Sequence, residues 1–105
     1  MRGIIEKRAK LPVTICQQPV ISDGKTTYQR EIAARGLLFD FSQDDFDYFG
    51  TIKNGKIFLI APLDAPPEVP GQIVYEGRCY DIKQVKTYRN LKMQVLGYRI
   101  AVAGA

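Results

Sequence analysis

The chain of 105 residues contains no histidine and no tryptophan, and only two cysteines. Without histidine it has no side chain whose ordinary pKa suits a general base near neutral pH. Cys16 and Cys79 form no C-x-x-C pair, so a zinc site would need carboxylates or distant thiolates. There is no G-x-S-x-G, no glycine-rich phosphate loop and no H-E-x-x-H. The longest apolar runs fall far short of a membrane span. No signal-peptide pattern opens the chain, so a reducing cytoplasm with free thiols is the expectation. These absences argue against an enzyme, a bound cofactor or metal, and a membrane partner.

What is present suits one globular domain. Hydrophobic residues make up 46% and charged residues 25%, with a formal net charge of +4. That balance permits an acidic partner without naming one. Arg2, Lys7, Arg8 and Lys10 crowd into the first ten positions. The division read here is a basic arm over 1–10, touching nucleic acid or a neighbouring subunit, and a β domain over 11–105. A solvated, frayed terminus is the plainer alternative for the arm.

The remainder reads as short β segments separated by turn signals. In 11–18, Val13 and Ile15 alternate with Thr14 and Cys16, predicting a strand with one face on a core. Ser22-Asp23-Gly24-Lys25 predicts a turn. A second extended run covers 31–41, with Leu37 and Phe39 as core candidates and Gly36 as a bulge or bend. Segment 56–61 is apolar on both parities, which predicts burial of both faces or one face shown to another subunit. Four prolines in 62–71 exclude helix and central strand and predict a stiff, exposed connection. The runs 72–76, 79–87 and 93–103 predict a three-stranded meander with Tyr80, Ile82, Tyr98 and Ile100 on the core side. About six strands in all predict a mainly β fold, a small antiparallel barrel or sandwich that escapes exposed edges by closing.

Segment 42–50 is ambiguous. Ser42 followed by Asp45 resembles a capping box, Asp44 and Asp45 suit a first helical turn, and Gly50 suits a stop, so a short helix is predicted. The rival is a strand over 48–53 paired with 56–61 across Asn54-Gly55. Asp40, Asp44, Asp45 and Asp47 lack the spacing of a calcium loop. They are instead candidates for a solvated loop facing a channel, anchored by Phe41, Phe46, Tyr48 and Phe49. Pro62, Pro66 and Pro67, with the loop at 22–28, are candidates for subunit or partner contacts. Tyr75, Tyr80 and Tyr98 could stack on single-stranded nucleic acid, but their phase with apolar neighbours favours core packing.

The order of these signals resembles the head–tail joining, or stopper, family of tailed bacteriophages. Val13-Thr14-Ile15 leading to Pro19, then Asp23-Gly24, match its opening strand and turn. The most specific part is Gly71-Gln72-Ile73-Val74-Tyr75-Glu76-Gly77-Arg78-Cys79-Tyr80-Asp81-Ile82, continuing to Val85. Gln72 stands where an acidic residue is common, and the proline-rich stretch is unusually long. The resemblance implies a virion neck protein assembled in the host cytoplasm. It would form a cyclic ring, a dodecamer or hexamer, below a portal or adaptor. A tail terminator or tail tube protein would lie below it, and double-stranded DNA would pass through the channel. Adaptor and tail terminator are neighbouring roles within this reading. A small nucleic-acid-binding barrel of the OB or SH3-like class is the alternative.

Overall fold

Alternation between two environments sets the strands. A computed structural model describes residues 8–50 and 55–104. Its elements are β1 (Leu11–Ser22), β2 (Lys25–Asp40), α1 (Gln43–Phe49), β3 (Gly55–Ile60), β4 (Gly71–Tyr75), β5 (Arg78–Arg89) and β6 (Val95–Gly104). All pairings are antiparallel, and the six strands close into one barrel in the order β1-β2-β3-β6-β5-β4. Closure leaves no free edge around the barrel body.

The interior holds Val13, Ile15, Phe58, Ile60, Ile73, Tyr80, Ile82, Tyr98, Ile100 and Val102, all nearly inaccessible to water. Each large side chain removed from water contributes roughly 1.5–3 kcal/mol. Phe58 anchors an aromatic group, meeting Tyr75 and Tyr80 edge-on at centroid distances of 6.0 and 5.7 Å. The strand tyrosines therefore serve the core. Tyr98 turns its hydroxyl toward the Leu63 carbonyl at 3.3 Å, which satisfies a buried donor.

β2 departs from the reading above. Its core face carries Ile32, Ala34 and Leu38, whereas Leu37 is half-buried on the other parity and Phe39 is 48% exposed. Both parities of this strand are rich in apolar residues, so alternation alone could not choose between them. Gly36 is no bulge, since the β1–β2 register runs unbroken through Leu11↔Gly36. It is the residue where β2 changes neighbours, from β1 to β3. A Cβ there would meet Ile60 Cδ1 at 2.7 Å and the Leu59 carbonyl at 2.8 Å, so only glycine admits this approach. The irregularities fall instead in β5–β6, at Ile82/Gln84 and Tyr88/Arg89.

β3 is buried on both faces. Phe58 and Ile60 point into the barrel, while Ile57 and half-buried Leu59 pack outside with Phe41, Phe49 and Ala101. The helix reading of 42–50 holds over Gln43–Phe49, and β3 pairs with β2 on one side and β6 on the other; residues 51–54 of the rival hairpin lie outside the described residues. The proline segment covers the barrel mouth near Tyr98. Leu63 packs on the core and Pro67 is buried, which corrects the expectation of a wholly exposed connection. Ile82→Ala should cost about 2–5 kcal/mol in urea unfolding, as large-to-small core changes do. Phe39→Ala should stay within about 1 kcal/mol, as substitutions away from the core usually do. Equal losses at the two positions would contradict the assigned face of β2.

Candidate functional site

The acidic segment divides into two kinds of aspartate. Ser42 caps α1: its Oγ accepts from the Asp45 amide at 3.3 Å, and the Asp45 carboxylate accepts from the Ser42 amide at 2.9 Å. The Ser42 hydroxyl also donates to that carboxylate at 2.9 Å. This is a capping box with aspartate in the third helical position. The other Asp45 oxygen accepts from the Arg99 guanidinium, which rises from β6. Asp45 is only 6% exposed. Its membership of a channel-facing set is therefore corrected: it turns inward and fixes the helix to the barrel.

Burial alone would raise the Asp45 pKa, but the Ser42 amide and hydroxyl and the Arg99 guanidinium outweigh it. The carboxyl is held below its usual range. The apolar anchor is Phe41, whose ring stacks on Phe49 at 5.6 Å and lies where a Cβ on Gly55 would stand. Tyr48 is 72% exposed, although its hydroxyl reaches the Gln84 amide at 3.4 Å.

The other three aspartates face water. Asp40 pairs with Lys56, its cross-strand neighbour, so its charge is locally balanced. Asp47 accepts from the Gln43 amide at 3.0 Å, and Asp44 is exposed. Asp44 and Asp47 are thus the carboxylates of the segment that face outward without an ion-pair partner among the described residues. Among the described residues, no three cysteine or acidic side chains group to hold a metal ion.

A second surface comes from topology, which residue patterns did not reveal. In this barrel the β1–β2, β3–β4 and β5–β6 connections all emerge at one end. Eight large apolar side chains are exposed among the described residues. Six of them, Val20, Ile21, Val69, Tyr88, Leu91 and Met93, belong to those connections or the strand ends beside them. Leu91 and Met93 sit on a firmly held loop. The Asn90 Oδ1 accepts from the amides of Lys92 and Gln94 at 2.9 and 3.0 Å, and Arg89 donates to the Met93 carbonyl at 3.2 Å. Beside the ribbon of β1 and β2 lies a cleft of about 480 Å³ lined by Pro19, Ile21, Tyr28, Val69, Pro70 and Ile82. Gln17 holds the β3–β4 connection, exchanging hydrogen bonds with the backbone of Glu68 at 3.1 and 2.7 Å. Burial and the nearby Asp81 carboxylate raise the Tyr28 pKa.

Of the proposed contact residues, Pro66 is exposed, Pro62 is half-buried, and Pro67 is buried within the chain and cannot be a free contact. Arg8 and Lys10 are exposed, while Ala9 between them packs against Ala61. Arg2 and Lys7, and with them most of the basic arm, lie outside the described residues. Both cysteines are free, Cys16 buried and Cys79 exposed. No protein-family model, curated protein or solved structure matches the chain.

The Asp45 carboxylate should make stability pH-dependent with a definite sign. Because its folded pKa is depressed, its contribution is full above the ordinary carboxylate range. That contribution is lost as pH falls through the folded value. Urea midpoints of the wild type should therefore drop on acidification more steeply than those of Asp45→Asn. At neutral pH Asp45→Asn should cost about 1–3 kcal/mol, whereas Asp47→Asn should be nearly silent. Parallel acid profiles for the wild type and Asp45→Asn would contradict the assignment.

Proposed function

We propose that this chain is a structural connector of a phage neck. Its copies would form a ring below the portal that closes the filled head and docks the tail. The observation that carries this reading is the concentration of exposed apolar residues at one barrel end, Ile21 at 77%, Leu91 at 103% and Met93 at 68% among them. A surface of this kind suits contacts with other proteins. The residues that carry the family resemblance are compatible with it. Gly71–Val85 supplies β4, a tight turn at Gly77 and the core residues Ile73, Tyr80 and Ile82 of β5 and its neighbour. Asp23 and Gly24, with φ of 52° and 74°, form the tip of the β1–β2 ribbon.

In such a ring, cyclic symmetry repeats each charge around one axis. Asp44 and Asp47 are the carboxylates available to line a wet channel, where they would repel DNA phosphates over roughly 8–10 Å. Asp40, offset by Lys56, would add little.

Native mass spectrometry of the chain assembled with its neck neighbours tests the reading. A hexamer or dodecamer of the chain within that assembly is expected. A monomer that shifts single-stranded DNA with steep salt dependence would replace the connector with the nucleic-acid-binding alternative. Changing Asp44 and Asp47 together to Asn should leave the unfolding midpoint nearly unchanged and alter DNA retention or release. Particles that package, hold and eject DNA normally would remove the channel role.

A further inference from the structure

The ribbon of β1 and β2 leaves the barrel with two edges that no described strand covers. β1 pairs with β4 only from Thr14 to Gln17, and β2 pairs with β3 only from Gly36 onward. One further backbone bond joins the Ala61 amide to the Arg35 carbonyl. Residues 25–34 of β2 therefore present a side that no described strand covers.

The two edges are not equivalent. On β1, Pro19 lacks an amide donor and Gln18 has a φ of 58°, so the outer ladder is broken where another strand would dock. Proline and irregular backbone are the usual means of blunting an edge. β2 has no proline, no glycine and no positive φ from Lys25 to Arg35. Its Lys25-Thr26-Thr27-Tyr28-Gln29-Arg30-Glu31 stretch includes two threonines and a tyrosine, which suit strands. An isolated two-stranded ribbon is marginal in water. This one also displays Ile21 and Val20.

We propose that the β2 edge pairs antiparallel with the same edge of a second copy, about a two-fold axis at Tyr28. The product is a continuous four-stranded sheet, β1-β2-β2-β1. Charge selects the register. Keeping the ladder requires that opposed residues share parity. Centring the pairing at Thr27 would leave Lys25 opposite Gln29 and bring Glu31 only to Asp23, a like charge in the turn. Centring it at Gln29 would leave Lys25 opposite Ala33 and Glu31 opposite Thr27, and Arg35, which would then meet Asp23, already gives its carbonyl to the Ala61 amide. Centring it at Tyr28 sets Lys25 against Glu31 of the other copy, and symmetry repeats the pair. Lys25 and Glu31 are both exposed, and neither has an ion-pair partner among the described residues. Such a contact is isologous and closes at two copies. It does not rest on the ring reading, whose contacts would be head-to-tail.

Sedimentation equilibrium on the full chain tests this with a charge swap. The wild type should associate reversibly to a dimer. Lys25→Glu alone, or Glu31→Lys alone, should raise the dissociation constant about tenfold or more, since each sets two like-charge pairs across the axis. The double variant carrying both reversals should return to within about threefold of the wild type. Circular dichroism of all four proteins should coincide. A wild type that stays monomeric at every concentration would overturn the proposal. So would single reversals without effect, or a double variant as weak as the singles. A larger ring indifferent to the swaps would overturn it too, while leaving the connector reading standing.

Discussion

The structure depends on the burial of β3 and β6 on both faces. Barrels normally bury one side of each strand and wet the other. Here Phe58, Ile60, Tyr98, Ile100 and Val102 fill the interior, while Ile57, Ala101 and Ala103 are also withdrawn from water on the outside. An exterior face of that kind needs a cover. Phe41 and Phe49 supply much of it, and Asp45 with Arg99 ties the helix down. The ion pair alone is a weak argument for stability, because desolvating both charges offsets much of their attraction. Its value lies in geometry: one carboxylate closes the capping box and holds Arg99, so the helix start and β6 share a fixed point.

This constraint distributes the remaining surface. With α1 spent on covering the barrel wall, the acidic segment keeps Asp44 and Asp47 for solvent and commits Asp45 to the fold. The opposite character gathers where three connections emerge together, bringing Ile21, Val69, Leu91 and Met93 to one end. Gln17 and Asn90 hold those connections by hydrogen bonds to backbone. Preorganised apolar loops lose less entropy on docking than mobile ones. The connector role proposed above would be served by that arrangement.

Much of the fold was legible from local pattern. Alternation placed Val13, Ile15, Tyr80, Ile82, Tyr98 and Ile100 in the core, and the two-parity character of 56–61 left a doubly buried strand or a face shown to another subunit, of which the fold has the first. The Ser42 and Asp45 spacing signalled the helix start. Legibility failed where the pattern was degenerate or the contact distant. β2 is apolar on both parities, so Phe39 was assigned to the wrong face. Asp45 looked like its three neighbours because Arg99, 54 positions away, is invisible to local reading. Pro67 is buried although the composition around it speaks for exposure. The apolar end is a property of barrel closure, and no single segment carries its signature.

Native-state hydrogen exchange tests the central claim most directly, since it resolves opening free energies along the chain. The amides of β3 and β6 should exchange only through global unfolding, with free energies equal to the urea value. Those of the β1–β2 ribbon beyond Gln17 should exchange by local opening at much lower cost in the monomer. Protection that peaks elsewhere in the barrel, with β3 and β6 opening locally, would contradict the doubly buried pair as the element on which the rest depends.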